Sequence, residues 1–262
     1  WYLNVHTTAN PNGEVRGQIV PDTTAVVTFS LSGSQEVPAV DTMAMGSGYA
    51  LFDTTNNNVS LVAVTTIENA TMAHIHTGFA GENGDVLVGL VESESTAGVW
   101  MTDGSIALDE ATATQLLAGG HYVNVHTAAN TGGEIRGQIT PENIEVYGII
   151  ANGLQEVPAV TTTASGAGAF TLNTSTGALS GSVTITGMTA NMAHIHEGEM
   201  GVNGDVLIGL TAGASGMLSV PANTTLTAEQ MNVMADGGLY TNFHSDAFPS
   251  GEIRGQITLG FD

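Results

Sequence analysis

The 262-residue chain carries 25 Asp and Glu against 3 Lys and Arg, a formal charge of −22, so nucleic acid and anionic membrane surfaces are disfavoured as partners. Charged residues make up only 11% while apolar types reach 42%, with 34 Gly, which describes a folded β-rich chain and excludes an acidic disordered one. There is no Cys, hence no disulfide and no thiolate metal site, and no transmembrane run of about 18 apolar residues.

The first residues, Trp1-Tyr2-Leu3-Asn4-Val5-His6, alternate as a strand does and lack the basic start of an export signal, so any such signal is expected to have been removed already. They lead to Gly13-Glu14-Val15-Arg16-Gly17-Gln18-Ile19, and residues 1–20 read as a hairpin. Short runs of Val, Ile, Thr and Ala broken by Gly, Asn and Ser follow, as in Ala25 to Leu31. That texture predicts an all-β chain of short antiparallel strands, a sandwich or barrel. Further along come Gln35-Glu36-Val37-Pro38-Ala39-Val40 and then Met72-Ala73-His74-Ile75-His76. Glu82-Asn83-Gly84-Asp85 lacks the spacing of an EF-hand and reads as a solvated turn, so Ca²⁺ is not expected. Asp109 to Leu117, closed by Gly119-Gly120, is a helical signal feeding a strand that carries Tyr122, Asn124 and His126.

The same order then recurs. Gln155-Glu156-Val157-Pro158-Ala159-Val160 and Met192-Ala193-His194-Ile195-His196 stand 120 residues after their first copies. Thr227 with Gln230 forms a capping box, Met231 and Met234 follow at helical spacing, and Gly237-Gly238 ends the helix before Tyr240, Asn242 and His244. The Gly-Glu-[Val/Ile]-Arg-Gly-Gln-Ile ending occurs at 13–19, 133–139 and 251–257. The chain therefore divides into complete units at 21–141 and 142–262, preceded in 1–20 by the closing hairpin of a truncated upstream unit. A lone two-stranded hairpin is marginal in water, so this one is expected either to belong to a longer array or to dock into a neighbouring molecule, linking subunits into a fibre.

Taken together, Gln35-Glu36-Val37-Pro38, Ala73-His74-Ile75-His76, Gly84-Asp85-Val86-Leu87, Asn124-Val125-His126 and Gly133-Glu134-Ile135-Arg136-Gly137-Gln138 resemble the CHRD domain, the repeat first described in chordin and also found in bacterial secreted proteins. The resemblance covers both units and the opening fragment. It implies tandem immunoglobulin-like sandwiches similar to that of copper-zinc superoxide dismutase, each with one short helix, in a secreted or cell-surface protein.

Seven of the eight His obey the repeat. Side chains alternate along a strand, so His74 and His76 share a face, as do His194 and His196, and each pair can chelate one ion. His126 and His244 arrive as third imidazoles, and His6 holds the equivalent place in the opening hairpin. Three neutral imidazoles with an open fourth position suit Cu or Zn, and Met72 or Met192, two residues before the first His, could add a soft sulfur that favours copper. Against this stands an inert reading, in which the rings merely bond backbone or Tyr groups and the Met residues pack. His121 has no counterpart and is expected at the surface, five residues from His126 and so on the opposite strand face.

All three positive charges, Arg16, Arg136 and Arg254, sit in the repeated ending. They read as structural residues paired with carboxylates such as Glu134 or Glu36, and Glu156 is the second-unit counterpart of Glu36; a place beside the histidines, attracting anions, is the alternative. The expectation is thus an extracellular structural or binding repeat protein, self-associating or part of a longer array, with a three-histidine copper or zinc site in each complete unit. A superoxide-dismutase-like copper enzyme and a metal-free matrix or adhesion protein are the rivals, and no catalytic residue is assigned.

Overall fold

A computed structural model describes residues 1–260; residues 261 and 262, where the second unit ends by sequence, lie outside the described residues. The opening hairpin is β1 (Tyr2–Val5) and β2 (Val15–Gln18). The first unit runs β3 (Thr24–Ser32), β4 (Met45–Asp53), β5 (Asn58–Thr65), β6 (Met72–Thr77), β7 (Val86–Gly89), β8 (Val91–Glu92), β9 (Val99–Met101), β10 (Ile106–Ala107), α1 (Glu110–Leu117), β11 (His121–His126) and β12 (Ile135–Gln138). The second runs β13 (Ile144–Asn152), β14 (Ser165–Asn173), β15 (Leu179–Thr186), β16 (Met192–Glu197), β17 (Val206–Gly209), β18 (Thr211–Ala212), β19 (Met217–Ser219), α2 (Ala228–Ala235), β20 (Leu239–His244) and β21 (Ile253–Leu259).

Each unit is one continuous antiparallel ladder, ordered β7-β6-β11-β12-β3-β4-β5-β9-β8 in the first and β17-β16-β20-β21-β13-β14-β15-β19-β18 in the second. The ladder curls over so that both halves face a single core. Alternation selects that core: Val27, Phe29 and Leu31 from β3, Phe52 from β4, Leu61 and Ala63 from β5 meet Ile75 from β6 and Val123 and Val125 from β11. Tyr147, Ile149, Phe170, Leu172, Val183, Ile195 and Phe243 repeat the arrangement. Both helices are capped as their sequences require. Asp109 accepts from the Thr112 N–H, and Thr227 and Gln230 form a reciprocal capping box.

The strands β6 and β11 carry the histidines in adjoining register. Asn124 faces His74, Tyr122 faces His76 and Met72 faces His126; Asn242, Tyr240 and Met192 hold the same places against His194, His196 and His244. A register shift between Ile75 and His76 against β7, repeated between Ile195 and His196 against β17, marks a bulge beside the second His of each pair.

His121 corrects the surface expectation. It does project from the face opposite His126, but that face is the core, and the ring is 0% exposed with neither nitrogen hydrogen-bonded. Its counterpart in the second unit is the core residue Leu239. The strand reading gave the right face; what it missed is that β11 is covered on both faces.

The two units touch through the turn that follows β6. Ala80 donates its N–H to Thr171 Oγ1 at 3.2 Å, and Ser182 Oγ donates to the Gly81 carbonyl at 2.9 Å. Gly81, at φ +80°, lies so close to the backbone of Ala169 and Ser182 that a side chain has no room. The outer face of β14 and β15 accepts this turn because it is built of Ala169, Thr171 and Ser182, where β4 and β5 have Tyr49, Leu51 and Val62.

Candidate metal centre

The imidazoles of His74, His76 and His126 converge, each offering one nitrogen within 4.8 Å of the others, and His194, His196 and His244 do the same in the second unit. His74 Nδ1 lies 3.1 Å from His126 Nε2, and His194 Nδ1 lies 3.2 Å from His244 Nε2. Two ligands at metal–nitrogen bonds of about 2.0 Å and tetrahedral angles stand about 3.3 Å apart, so this spacing is close to one edge of a coordination shell.

Backbone carbonyls set the tautomers. His76 Nδ1 is 3.0 Å from the Gly84 carbonyl and His126 Nδ1 is 3.1 Å from that of Thr131. A carbonyl only accepts, so both rings carry their proton on Nδ1 and keep a lone pair on Nε2. Gly204 and Pro249 hold His196 and His244 identically. The Nε2 atoms of His76 and His196 are buried with no hydrogen-bond partner. A buried acceptor left unpaired is costly, and in both units the orphan is the atom a metal would take. Burial also pushes the pKa of His76, His126, His196 and His244 below the ordinary imidazole value, with the carbonyl contacts opposing, which keeps the rings neutral at pH 7.

Behind the cluster lies a stack the sequence did not disclose. Tyr122 stacks on His76 with ring centroids 5.0 Å apart and planes 10° from parallel, and the Arg136 guanidinium lies 3.4 Å from the other ring's centre, that of Tyr122. Tyr240 between His196 and Arg254 repeats it, at 4.9 Å and 3.4 Å. In the opening hairpin Arg16 sits 3.8 Å over Tyr2. Gly84 ties stack to ligand: its N–H donates to Tyr122 Oη while its carbonyl accepts from His76. A Cβ on Gly84, or on Gly204, would collide with the carbonyl of Thr77 or Glu197. Repetition of Tyr-x-Asn-x-His and of Gly-Asp were the available signals.

The hydrogen bonds of Arg136 and Arg254 do not go to carboxylates. Arg136 donates to the carbonyls of Glu82 and Phe79 and to Gln138 Oε1, and Arg254 to those of Val202 and Glu199 and to Gln256 Oε1. The loop after β6, or after β16, wraps the guanidinium and accepts two of its hydrogen bonds on backbone carbonyls, so for Arg136 and Arg254 the expected carboxylate pairing is corrected. Burial lowers the Arg136 pKa to about 10. Glu134 instead accepts from Thr42, Thr127 and Asn130. Glu36 accepts from Asn124 Nδ2 at 3.3 Å, as Glu156 does from Asn242 at 3.4 Å. Burial pushes both carboxyls up to about 7, against Arg136 and Arg254 respectively. Glu36 Oε1 and Asn124 Oδ1, which meet over Gly133, are both buried acceptors without a donor, and a proton on Glu36 would relieve them.

Met72 and Met192 lie at the rim, 47% and 50% exposed, and each three-imidazole cluster is complete without them. His6 is apart from both clusters, yet its Nδ1 contacts the Pro11 carbonyl at 2.9 Å, the same tautomer lock as in His126 and His244.

Compared with known families, the chain matches the CHRD domain over residues 1–19, 27–139 and 147–257. No curated protein matches it. Among the described residues no helix is long and apolar enough to cross a membrane.

Proposed function

The chain belongs to the CHRD domain family, and from that premise we propose that it is an extracellular structural or binding repeat protein in which each complete unit holds one copper or zinc ion on three imidazoles. The observation that carries the reading is the unpartnered, buried Nε2 of His76 and His196, in rings whose Nδ1 is committed to a carbonyl. The donor set fits: three neutral nitrogens, no thiolate, and a fourth position free for solvent or a partner's group. When bound, the ion supplies a cross-link between β6 and β11, or β16 and β20. The protein's part is to hold His76, His126, His196 and His244 in one tautomer and to keep those four rings neutral by burial.

A binding role is favoured over anion-guided copper catalysis because Arg136 and Arg254 are buried, each 1% exposed, against Tyr122 and Tyr240 and bonded to the loops after β6 and β16. A guanidinium so enclosed is not presented at the surface to an incoming anion. The test is metal stoichiometry of untagged protein. The parent should hold two equivalents of Cu²⁺ or Zn²⁺, His76→Ala one, and the double variant His76→Ala, His196→Ala none. Two equivalents retained by the double variant, or superoxide consumption by the loaded parent, would overturn the reading.

A further inference from the structure

In each histidine cluster the surroundings of one ring fix the proton of another. His126 Nδ1 and His244 Nδ1 carry hydrogens, because they face the carbonyls of Thr131 and Pro249, and their Nε2 atoms therefore hold only a lone pair. Those same Nε2 atoms lie 3.1 and 3.2 Å from Nδ1 of His74 and His194. Two lone pairs facing one another at that distance would repel, so the hydrogen between the rings comes from the first histidine of each pair. In the metal-free protein His74 and His194 are Nδ1–H donors.

These two rings differ from the other four in their support. No carbonyl holds the imidazole of His74 or His194; among the described residues its one hydrogen-bond partner is the neighbouring imidazole. Their outer nitrogens differ as well. Nε2 of His76 and of His196 is a buried orphan, whereas the half-buried rings of His74 and His194 do not enclose theirs in this way. In the first ring of each cluster the nitrogen turned inward is thus Nδ1, and Nε2 is left towards solvent. The bridge also has nearly the dimension of an occupied site. Two nitrogens bound to one ion at about 2.0 Å and tetrahedral angles stand about 3.3 Å apart, so replacing the proton by an ion requires little movement of either ring.

We propose that a proton stands in for the ion: in the metal-free protein the hydrogen on Nδ1 of His74 and His194 bridges to the third imidazole, and on loading it passes through solvent to Nε2 of the same ring, so that these two histidines ligate through Nδ1 and the other four through Nε2. The ligation rests on the three-imidazole reading above; the bridge does not. One hydrogen leaves Nδ1 and one arrives at Nε2, so the ring stays neutral and this exchange releases no net proton. The bridge holds the two rings in place before the ion arrives, which lowers the cost of ordering them on binding.

Nitrogen-15 NMR of the imidazoles tests both halves, because protonated and bare ring nitrogens resonate far apart. In chelator-stripped protein all six cluster rings should be protonated at Nδ1. With two equivalents of Zn²⁺, His74 and His194 alone should have moved the proton to Nε2. His126→Ala removes the acceptor, so metal-free His74 should then populate both tautomers while His194 is unchanged; should this variant not fold, the parent spectra decide. A proton on Nε2 of His74 and His194 in the stripped parent, or a His74 tautomer indifferent to His126→Ala, would overturn the bridge. Nδ1–H persisting on these rings in the Zn²⁺-bound protein would overturn the Nδ1 ligation alone. Protein that takes up no Zn²⁺ refutes the metal reading and the ligation with it, and the metal-free spectrum then judges the bridge by itself.

Discussion

Replacing His121 by Leu should stabilise the first unit. The imidazole is fully buried on the core face of β11, and both ring nitrogens lack partners. Each unpaired polar group costs about 1–3 kcal/mol, while Leu, the residue found at the equivalent Leu239, fills the site without that cost. A gain of about 2 kcal/mol at pH 7 is expected. The gain should grow as the pH falls. Burial lowers the His121 pKa from 6.5 to about 4. The folded ring stays neutral across that window while the unfolded chain takes up a proton, so stability is lost as pH drops from 6.5 towards 4. At about 1.4 kcal/mol per unit the loss approaches about 3 kcal/mol, and His121→Leu should remove it. Trp100, 5% exposed in β9, reports the first unit by fluorescence in urea, in a Trp1→Phe background. A variant that unfolds at lower urea than its parent, or one with the same slope between pH 6.5 and 4, would refute the account of this residue.

Arg136→Gln should lower the first unit's stability by about 2–4 kcal/mol, because the carbonyls of Phe79 and Glu82 lose their donor; Trp100 fluorescence in urea reads it, and an unchanged midpoint would refute it. Gly84→Ala should displace the carbonyl that orients His76, weakening metal binding in the first unit about 10- to 100-fold by competition with a chelator while the second site is unchanged. Gly81→Val should separate the units at their contact with Ala169 and Ser182, so that calorimetry resolves two independent transitions; unaltered melting would show the junction to be unimportant.

The histidine clusters were readable because a strand's period of two is rigid: His74 and His76 had to share a face, and the repeated Tyr-x-Asn-x-His placed His126 on a second strand with the same alternation. The helix caps were readable for a similar reason, since Asp109 and Thr227 satisfy donors one turn away. Residues whose partners come from distant loops were not. Arg136 bonds to Phe79 and Glu82, more than fifty positions earlier in the chain, and nothing local shows that this turn folds over a guanidinium. His121 was misjudged on residue type, although its alternation with Val123 and Val125 pointed inward. The junction left a trace in the repeat comparison, Ala169, Thr171 and Ser182 replacing Tyr49, Leu51 and Val62, but small residues on an outer face gain meaning only once Ala80 and Gly81 are seen resting on them.

The central claim, that each complete unit is a three-imidazole metal centre, is tested most directly by X-ray absorption at the metal edge on protein carrying two equivalents of Cu²⁺ or Zn²⁺. The geometry predicts three imidazole scatterers per ion at about 2.0 Å, lost in half of the sites in His126→Ala. A first shell made only of oxygen, or one unchanged by that substitution, would contradict it.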